Sequence, residues 1–390
     1  MSNKKELELY IHIPFCIRKC KYCDFLSGPS GEKERREYVE SLCRKIHSYG
    51  DLAKAYRVIS IFVGGGTPSI LTEEQILKIF AALREVFEIE ADAEITLEMN
   101  PGTVTEEKME AYKQCGINRL SMGLQSTDNK ELKALGRIHT YETFLESYQL
   151  ARAAGFQNIN VDLMSAIPYQ TRESYQKTLK KVANLIPPPE HISAYSLIIE
   201  EGTPFFERYG EGEHAEELPG EEEERQMYQD TIEILKNYGY HRYEISNYAK
   251  EGYECRHNIG YWNRTEYLGI GSGAASLIEN CRFTAPDLLK EPKNLADEKL
   301  LEKKKIWGQD IEILTVENQM EETMFLGLRM MKGVSVSDFE KSFGRTMESV
   351  YGDVIKRLKK EQLIVEDGDY IRLTERGIDI SNYVMSEFLL

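Results

Sequence analysis

An α/β fold built on a parallel sheet is predicted by three observations. Apolar, β-branched runs alternate with helical patterns through the first half of the chain. The glycines and polar residues that carry chemistry fall at or just after the ends of those runs, where α/β folds place their sites. Beyond about Pro204 the alternation lapses and a different pattern begins.

Strands are expected near Leu7 to Ile13, Val58 to Val63, Ile95 to Glu98, Arg119 to Met122, Asn158 to Asp162 and His191 to Tyr195. Six such units are too few for a closed eight-stranded barrel. Glu221 to Tyr238 reads as a long helix, and its acidic run Glu221 to Glu224 suits the positive end of that helix, so it is given no function. The stretch Tyr240 to Tyr267 is rich in aromatics. From about Asn318 the pattern is helix, short helix, helix, two strands at Leu363 to Val365 and Tyr370 to Leu373 around the turn Glu-Asp-Gly-Asp, and a last helix. That order resembles a winged helix-turn-helix. Basic and acidic residues are equal in number between Lys332 and Arg376, which favours a structural or partner-docking unit over a DNA reader. The chain therefore divides into a core at 1–205, an extension at 206–317 and a small C-terminal α+β domain at 318–390.

The 390 residues are 41% hydrophobic and carry a net charge of -16. That balance disfavours a nucleic-acid binder, whose affinity comes from clustered Lys and Arg. Seven cysteines, three of them clustered, occur with no signal peptide and no apolar stretch long enough to cross a membrane. Reduced thiols in the cytoplasm are the expectation.

The clustered cysteines are Cys16, Cys20 and Cys23, a C-x3-C-x2-C spacing. Three thiolates this close can hold an iron-sulfur cluster and leave one iron open to a small molecule. A zinc site with His12 or Asp24 as fourth ligand, or three small buried residues on one helix face, are the competing readings. Pro14 argues for a loop rather than a helix there. The second motif, Gly64-Gly-Gly-Thr-Pro-Ser69, follows the apolar run Val58 to Val63. Backbone groups at such a turn suit the polar end of an amino acid, and no Gly-Lys-Ser/Thr follows to make it a phosphate loop.

Together these residues resemble the radical S-adenosylmethionine (SAM) superfamily. Tyr10-Ile-His-Ile-Pro-Phe-Cys16, Cys20-Lys-Tyr-Cys-Asp-Phe25, the glycine motif, Glu98-Met-Asn-Pro101, Ser121-Met-Gly-Leu-Gln-Ser126, Gly136-Arg-Ile-His139, Asp162-Leu-Met164 and Gly202-Thr-Pro204 narrow the resemblance. Their order is similar to that of the oxygen-independent coproporphyrinogen III oxidase family and its heme-chaperone branch, HemW. The resemblance implies a partial (β/α)6 barrel whose open side admits the substrate. It implies a 4Fe-4S cluster on Cys16, Cys20 and Cys23, Tyr10 and Tyr22 flanking adenosylmethionine, and Gly65, Gly66 and Thr67 at its amino-acid portion. Glu98, Gln125, Arg137 and Asp162 would complete that pocket, with Arg137 suited to a carboxylate and the acids to an ammonium or ribose hydroxyls. Ser196 is a further candidate.

Three features favour the chaperone branch over an oxidase. Phe25 stands where the oxidases carry a further cysteine, and only nine residues precede Tyr10, where the oxidases carry a long arm. His257-Asn-Ile-Gly-Tyr-Trp262 matches the branch's HNxxYW signature, which offers an imidazole as an axial ligand for heme iron. A hydrogen-bonded core histidine is the competing reading of His257, and Cys255 is a second candidate heme ligand. The resemblance thus implies a heme chaperone in porphyrin metabolism that takes electrons from a donor and passes heme to acceptor proteins, with membrane-associated respiratory proteins as candidates. Oxidative decarboxylation of coproporphyrinogen III, or radical chemistry on another tetrapyrrole, are the enzymatic alternatives. Two departures bear on them: Ala166 stands where relatives carry glycine, and Ala275 where they carry histidine.

Overall fold

The computed structural model describes residues 4–290 and 308–390. All six expected parallel strands form, in sequence order: β1 (Lys5–Ile13), β2 (Tyr56–Gly65), β3 (Ile89–Met99), β4 (Arg119–Gln125), β5 (Ile159–Ser165) and β6 (His191–Ser196). Each pairs in parallel with the next. Period-2 alternation sorts their side chains. In β1, Leu7, Leu9, Ile11 and Ile13 enter the hydrophobic core. Glu8, Tyr10 and His12 take the opposite, concave face, where Glu8 meets Ser60 of β2 and Tyr10 stacks on Phe62. The concave face is therefore polar, unlike the uniformly apolar strands of an ordinary parallel sheet.

The convex face is packed by α1 (Glu32–Ser48), α2 (Glu73–Val86), α3 (Glu106–Gln114), α4 (Tyr141–Ala153) and α5 (Arg172–Ala183). Thr72, Thr105, Thr140 and Thr171 cap the last four of these through side-chain acceptors, at about 1 kcal/mol per cap. The long helix α6 (Glu221–Asn237) begins at its acidic run and docks on α5 through the Arg172–Asp230 ion pair.

Residues after Pro204 do more than trail the barrel. The strands β7 (His241–Arg242) and β8 (Asn247–Ala249) extend the sheet beyond β6. On the other edge β9 (Tyr267–Ile270) pairs in parallel with β1, and β10 (Ala275–Ile278), β11 (Cys281–Thr284) and β12 (Gln309–Ile313) follow. Among the described residues the result is one 12-stranded sheet whose two ends do not pair with each other, a partial barrel. Part of the expected 206–317 extension, residues 291–307, lies outside the described residues. Between β8 and β9, the helix α7 (Arg256–Trp262) carries the HNxxYW motif against β2 and β3.

The C-terminal unit comprises α8 (Val316–Gly327), β13 (Val334–Ser335), α9 (Val336–Phe343), α10 (Met347–Lys360), and the hairpin β14 (Ile364–Asp367) with β15 (Tyr370–Leu373). The short strand β13 joins that hairpin, and the single last helix expected from sequence is two short ones, Glu375–Asp379 and Ser381–Ser386. Met320, Met324, Phe339 and Tyr351 belong to its own hydrophobic core. Arg242–Glu375, Arg329–Glu244 and Arg264–Glu322 tie it to the barrel.

Candidate functional site

The cysteine triad sits in a loop, as Pro14 foretold. Phe15–Cys16 pairs briefly with Gly28–Pro29, and Cys20 and Cys23 follow in an irregular turn. The glycine motif fits beneath this loop. Gly65 holds φ +110°, and a Cβ on Gly66 would lie 2.6 Å from the Phe15 carbonyl oxygen, so two backbones approach where only glycine fits. Thr67 donates to the Cys16 sulfur at 3.5 Å and accepts from Asn100 at 2.7 Å. All three triad cysteines are partly exposed thiols. Among the described residues, the ligand atoms that converge as one metal ion requires are those of His214, Glu216 and Glu217.

The triad forms one end of a cavity of about 330 Å³ running into the concave face. Tyr22, Gly65, Gly66, Thr67, Glu98, Gln125, Arg137 and Asp162 line it with the three cysteines. Asn100, Ser121, Ser193, Asn247 and Asn258 line it too, and were not singled out from sequence. Asn100 and Ser121 lie inside quoted motifs, and Asn258 inside HNxxYW, so proximity to those motifs was the available signal.

Arg137 dominates the electrostatics of this cavity. Its Nη1 reaches the Cys20 sulfur at 3.6 Å and its Nη2 donates to Asn100 Oδ1 at 2.8 Å and to the Gly123 carbonyl. Its Nε is buried with no hydrogen-bond partner among the described residues. Opposite it lie two half-buried carboxyls. Burial, reinforced by the Asp162 charge, pushes the Glu98 carboxyl up to about 8, although it accepts from the Gly65 amide at 3.1 Å. Burial likewise raises Asp162, against hydrogen bonds from Asn160 and Ser193. Gln125 holds φ +74° at a register shift in β4 and accepts from the Tyr195 hydroxyl at 3.0 Å. Bulges and positive-φ residues of this kind concentrate at functional sites. A guanidinium and two acids whose pKa values burial raises fit a zwitterionic amino-acid end.

Three expected residues do not line this cavity. The Ser196 hydroxyl meets Ser165 at 3.0 Å, while its neighbours in alternation, Ser193 and Tyr195, face the cavity. Tyr10 bonds His12 Nδ1 at 3.1 Å and lines a second cavity. His257 is 1% exposed and has both ring nitrogens engaged, Nδ1 with Ser60 Oγ at 2.8 Å and Nε2 with the Tyr261 hydroxyl at 3.0 Å. Burial holds its pKa down at about 3, so the ring is neutral. In this conformation the geometry is that of the core histidine, and an iron atom has no free ring nitrogen to meet. Cys255 is fully buried, its thiol donates to Glu94 at 3.5 Å, and burial raises its pKa strongly. Glu94 also accepts from the backbone amides of Arg256 and His257, which anchors the start of α7 in the barrel floor.

Comparison with known proteins adds an independent line. The radical SAM superfamily profile matches residues 10–182, and the HemN C-terminal domain profile matches residues 314–380. The chain is similar to the heme chaperone HemW of Lactococcus lactis, 36% identical over 389 residues that cover 99% of this chain and 98% of that protein. Likeness to the heme chaperone HemW of Bacillus subtilis is 36% over 383 residues, 97% of this chain and 98% of the relative. Among solved structures, coproporphyrinogen III oxidase (HemN) from Escherichia coli, a radical SAM enzyme, superposes with a TM-score of 0.83 at 25% identity, covering 99% of this chain and 90% of that one.

Proposed function

The chain belongs to the HemW family of radical SAM proteins, and from that premise we propose that it is a heme chaperone that binds a 4Fe-4S cluster, adenosylmethionine and heme. The family implies the first two cofactors. Cys16, Cys20 and Cys23 would ligate the cluster, and the cavity behind them would take adenosylmethionine. The observation that carries this assignment is that eleven sequence-predicted residues, the triad included, line one cavity.

When bound, the cluster supplies an electron and an open iron to the methionyl end of adenosylmethionine. The protein's own groups do the positioning. Arg137 would pair with a carboxylate while its Nη1 steadies Cys20. Glu98 and Asp162 stand ready to accept from an ammonium or from ribose hydroxyls, and a cation there would draw the proton off Glu98. Thr67 and Asn100 fix Cys16 from the other side.

Heme is then the cargo, acceptor proteins its destination, and an electron donor the source of reducing power. No helix among the described residues is long and apolar enough to cross a membrane. A cytoplasmic location is proposed from the reduced thiols that such a cluster demands.

The test is an anaerobic assay of the cluster-reconstituted protein with adenosylmethionine and coproporphyrinogen III, run beside a heme titration. Stoichiometric heme binding without vinyl product is expected. Vinyl product at catalytic turnover would replace the chaperone reading with the oxidase one.

A further inference from the structure

A basic and partly apolar face lies on the outer side of the cysteine loop. Ile17, Phe25, Leu26 and Ile138 are each more than half exposed. Four large apolar side chains around one loop form a patch rather than scattered exposures, and a patch rimmed by polar groups marks a contact site. Ile17 and Ile138 meet across a small recess beside Cys20. Neither these two nor Leu26 lines the adenosylmethionine cavity, so filling that cavity leaves them in solvent.

The charge of this face opposes that of the chain. Arg18, Lys19 and Lys21 are exposed between the triad cysteines, and Asp24 is the one exposed acid from Ile17 to Leu26, in a chain of net charge -16. Arg18 donates to the Gly136 and Arg137 carbonyls and Lys19 to the Phe25 carbonyl. Carbonyl oxygens hold these cations in place without cancelling them. The Lys21 amide donates to the Leu135 carbonyl at 3.1 Å, which sets the loop against the end of the short helix Asn129–Ala134 and brings in Lys133 from its last turn. At physiological salt charges are screened beyond about 8 Å, so a partner seated here meets the local cations rather than the acidic remainder.

We propose that this face docks the electron donor, and that the donor is a small acidic one-electron carrier protein. The proposal rests on the cluster reading and adds the donor's surface chemistry to it. One electron leaves the carrier's reduced flavin and enters the cluster, where one iron(III) becomes iron(II). The triad cysteines line the cavity while the residues between them are exposed, so the thickness of one loop would separate carrier from cluster. An apolar centre with a charged rim over a small area suits transient electron-transfer encounters, which bury little surface and are steered by charge. A lipid surface is the weaker fit. The face is an irregular loop with no amphipathic helix, and the net charge of the chain would repel anionic headgroups.

The experiment follows bleaching of the cluster absorbance in the full-length, cluster-loaded protein by anaerobic stopped flow. Reduced flavodoxin serves as the acidic carrier, and photoreduced deazaflavin as a small reductant that needs no docking. Lys21→Glu combined with Lys133→Glu should slow reduction by flavodoxin at least about tenfold and leave the deazaflavin rate unchanged. Leu26→Asp should slow the flavodoxin reaction to a smaller degree. Affinity for oxidised flavodoxin, read by surface plasmon resonance, should fall in both variants, and with added salt in the unsubstituted protein. Lys133→Glu alone, outside the cysteine loop, decides the matter if the double variant takes up less cluster. Unchanged flavodoxin rate and affinity in these variants would overturn the docking face, as would reduction of the unsubstituted protein by deazaflavin but not by flavodoxin. Equal slowing with both reductants would also overturn it, because the lysines would then act on the cluster itself. Unchanged flavodoxin kinetics with lost sedimentation on phosphatidylserine vesicles would give the face to a lipid surface instead. Failure of the unsubstituted protein to take up a cluster would defeat the reading on which the proposal rests.

Discussion

The mouth and the floor of the barrel are built from motifs of equal clarity in the sequence, yet they use them in opposite ways. At the mouth, Arg137 keeps one buried nitrogen without a partner among the described residues and Glu98 is held up at about 8 by burial, so the site stores unmet polar demand. At the floor, both nitrogens of His257 are satisfied, Cys255 donates to Glu94, and Glu94 anchors the start of α7, although beside them Glu8 Oε2 and Trp262 Nε1 are buried without a partner among the described residues. Unmet demand is what a ligand relieves, and satisfied demand is what a fold uses. A motif match shows that a side chain is needed, but not which of these needs it serves.

The contrast can be broken most sharply at the triad. Single replacement of Cys16, Cys20 or Cys23 by alanine should abolish the iron-sulfur absorbance after reconstitution, because two thiolates do not retain a cubane. Cys43, Cys115, Cys255 and Cys281 should each be dispensable for it. Complete cluster loss in Cys43→Ala or Cys115→Ala would undo the three-cysteine assignment.

Next in size is the floor. His257→Ala leaves Ser60 and Tyr261 without their partner and opens a cavity, so urea melts should show a loss of about 3 kcal/mol. Cluster absorbance in the folded protein should be unaltered. A melt that matches the unsubstituted protein would mean that His257 is not a structural element of the floor.

A third prediction concerns pH. Burial pushes the Glu8 carboxyl from its ordinary 4.5 up to about 9. The folded state therefore keeps a proton that the unfolded chain releases, and stability falls as pH rises between those values. The slope from this one group is at most about 1.4 kcal/mol per pH unit. Glu98, raised to about 8, adds to it with the same sign. Glu8→Gln should flatten the decline between pH 6 and 9, and an identical pH profile in that variant would show that Glu8 is not held protonated.

The smallest effect belongs to Ala166, which holds φ +57°. Glycine is the usual residue for that conformation, so Ala166→Gly should raise the melting temperature slightly. The gain is about 1 kcal/mol or less, because glycine also loses more entropy on folding.

Much of this was legible in the sequence, and the failures have physical causes. The six parallel strands are long apolar runs whose periodicity is local, so each showed itself. The strands from His241 to Ile313 run from two to five residues and exist because distant strands offer them an edge, which no local pattern records. Ser196, implied only by the resemblance, turns its hydroxyl to Ser165 because a one-residue step along a strand reverses the face. Tyr10 has the right parity but meets Phe62 and His12 below the mouth. The direction of His257 depended on α7 lying across the barrel floor, where a Cβ on Gly260 would meet the Glu8 carboxyl at 2.1 Å. That approach is a tertiary fact, invisible in the motif's spelling.

The most direct test of the division between mouth and floor is the electron paramagnetic resonance spectrum of the reduced cluster as adenosylmethionine is added. The signal should shift in the unsubstituted protein and equally in folded His257→Ala, and it should fail to shift in Arg137→Ala with the cluster retained. A shift abolished by His257→Ala and preserved in Arg137→Ala would contradict the account.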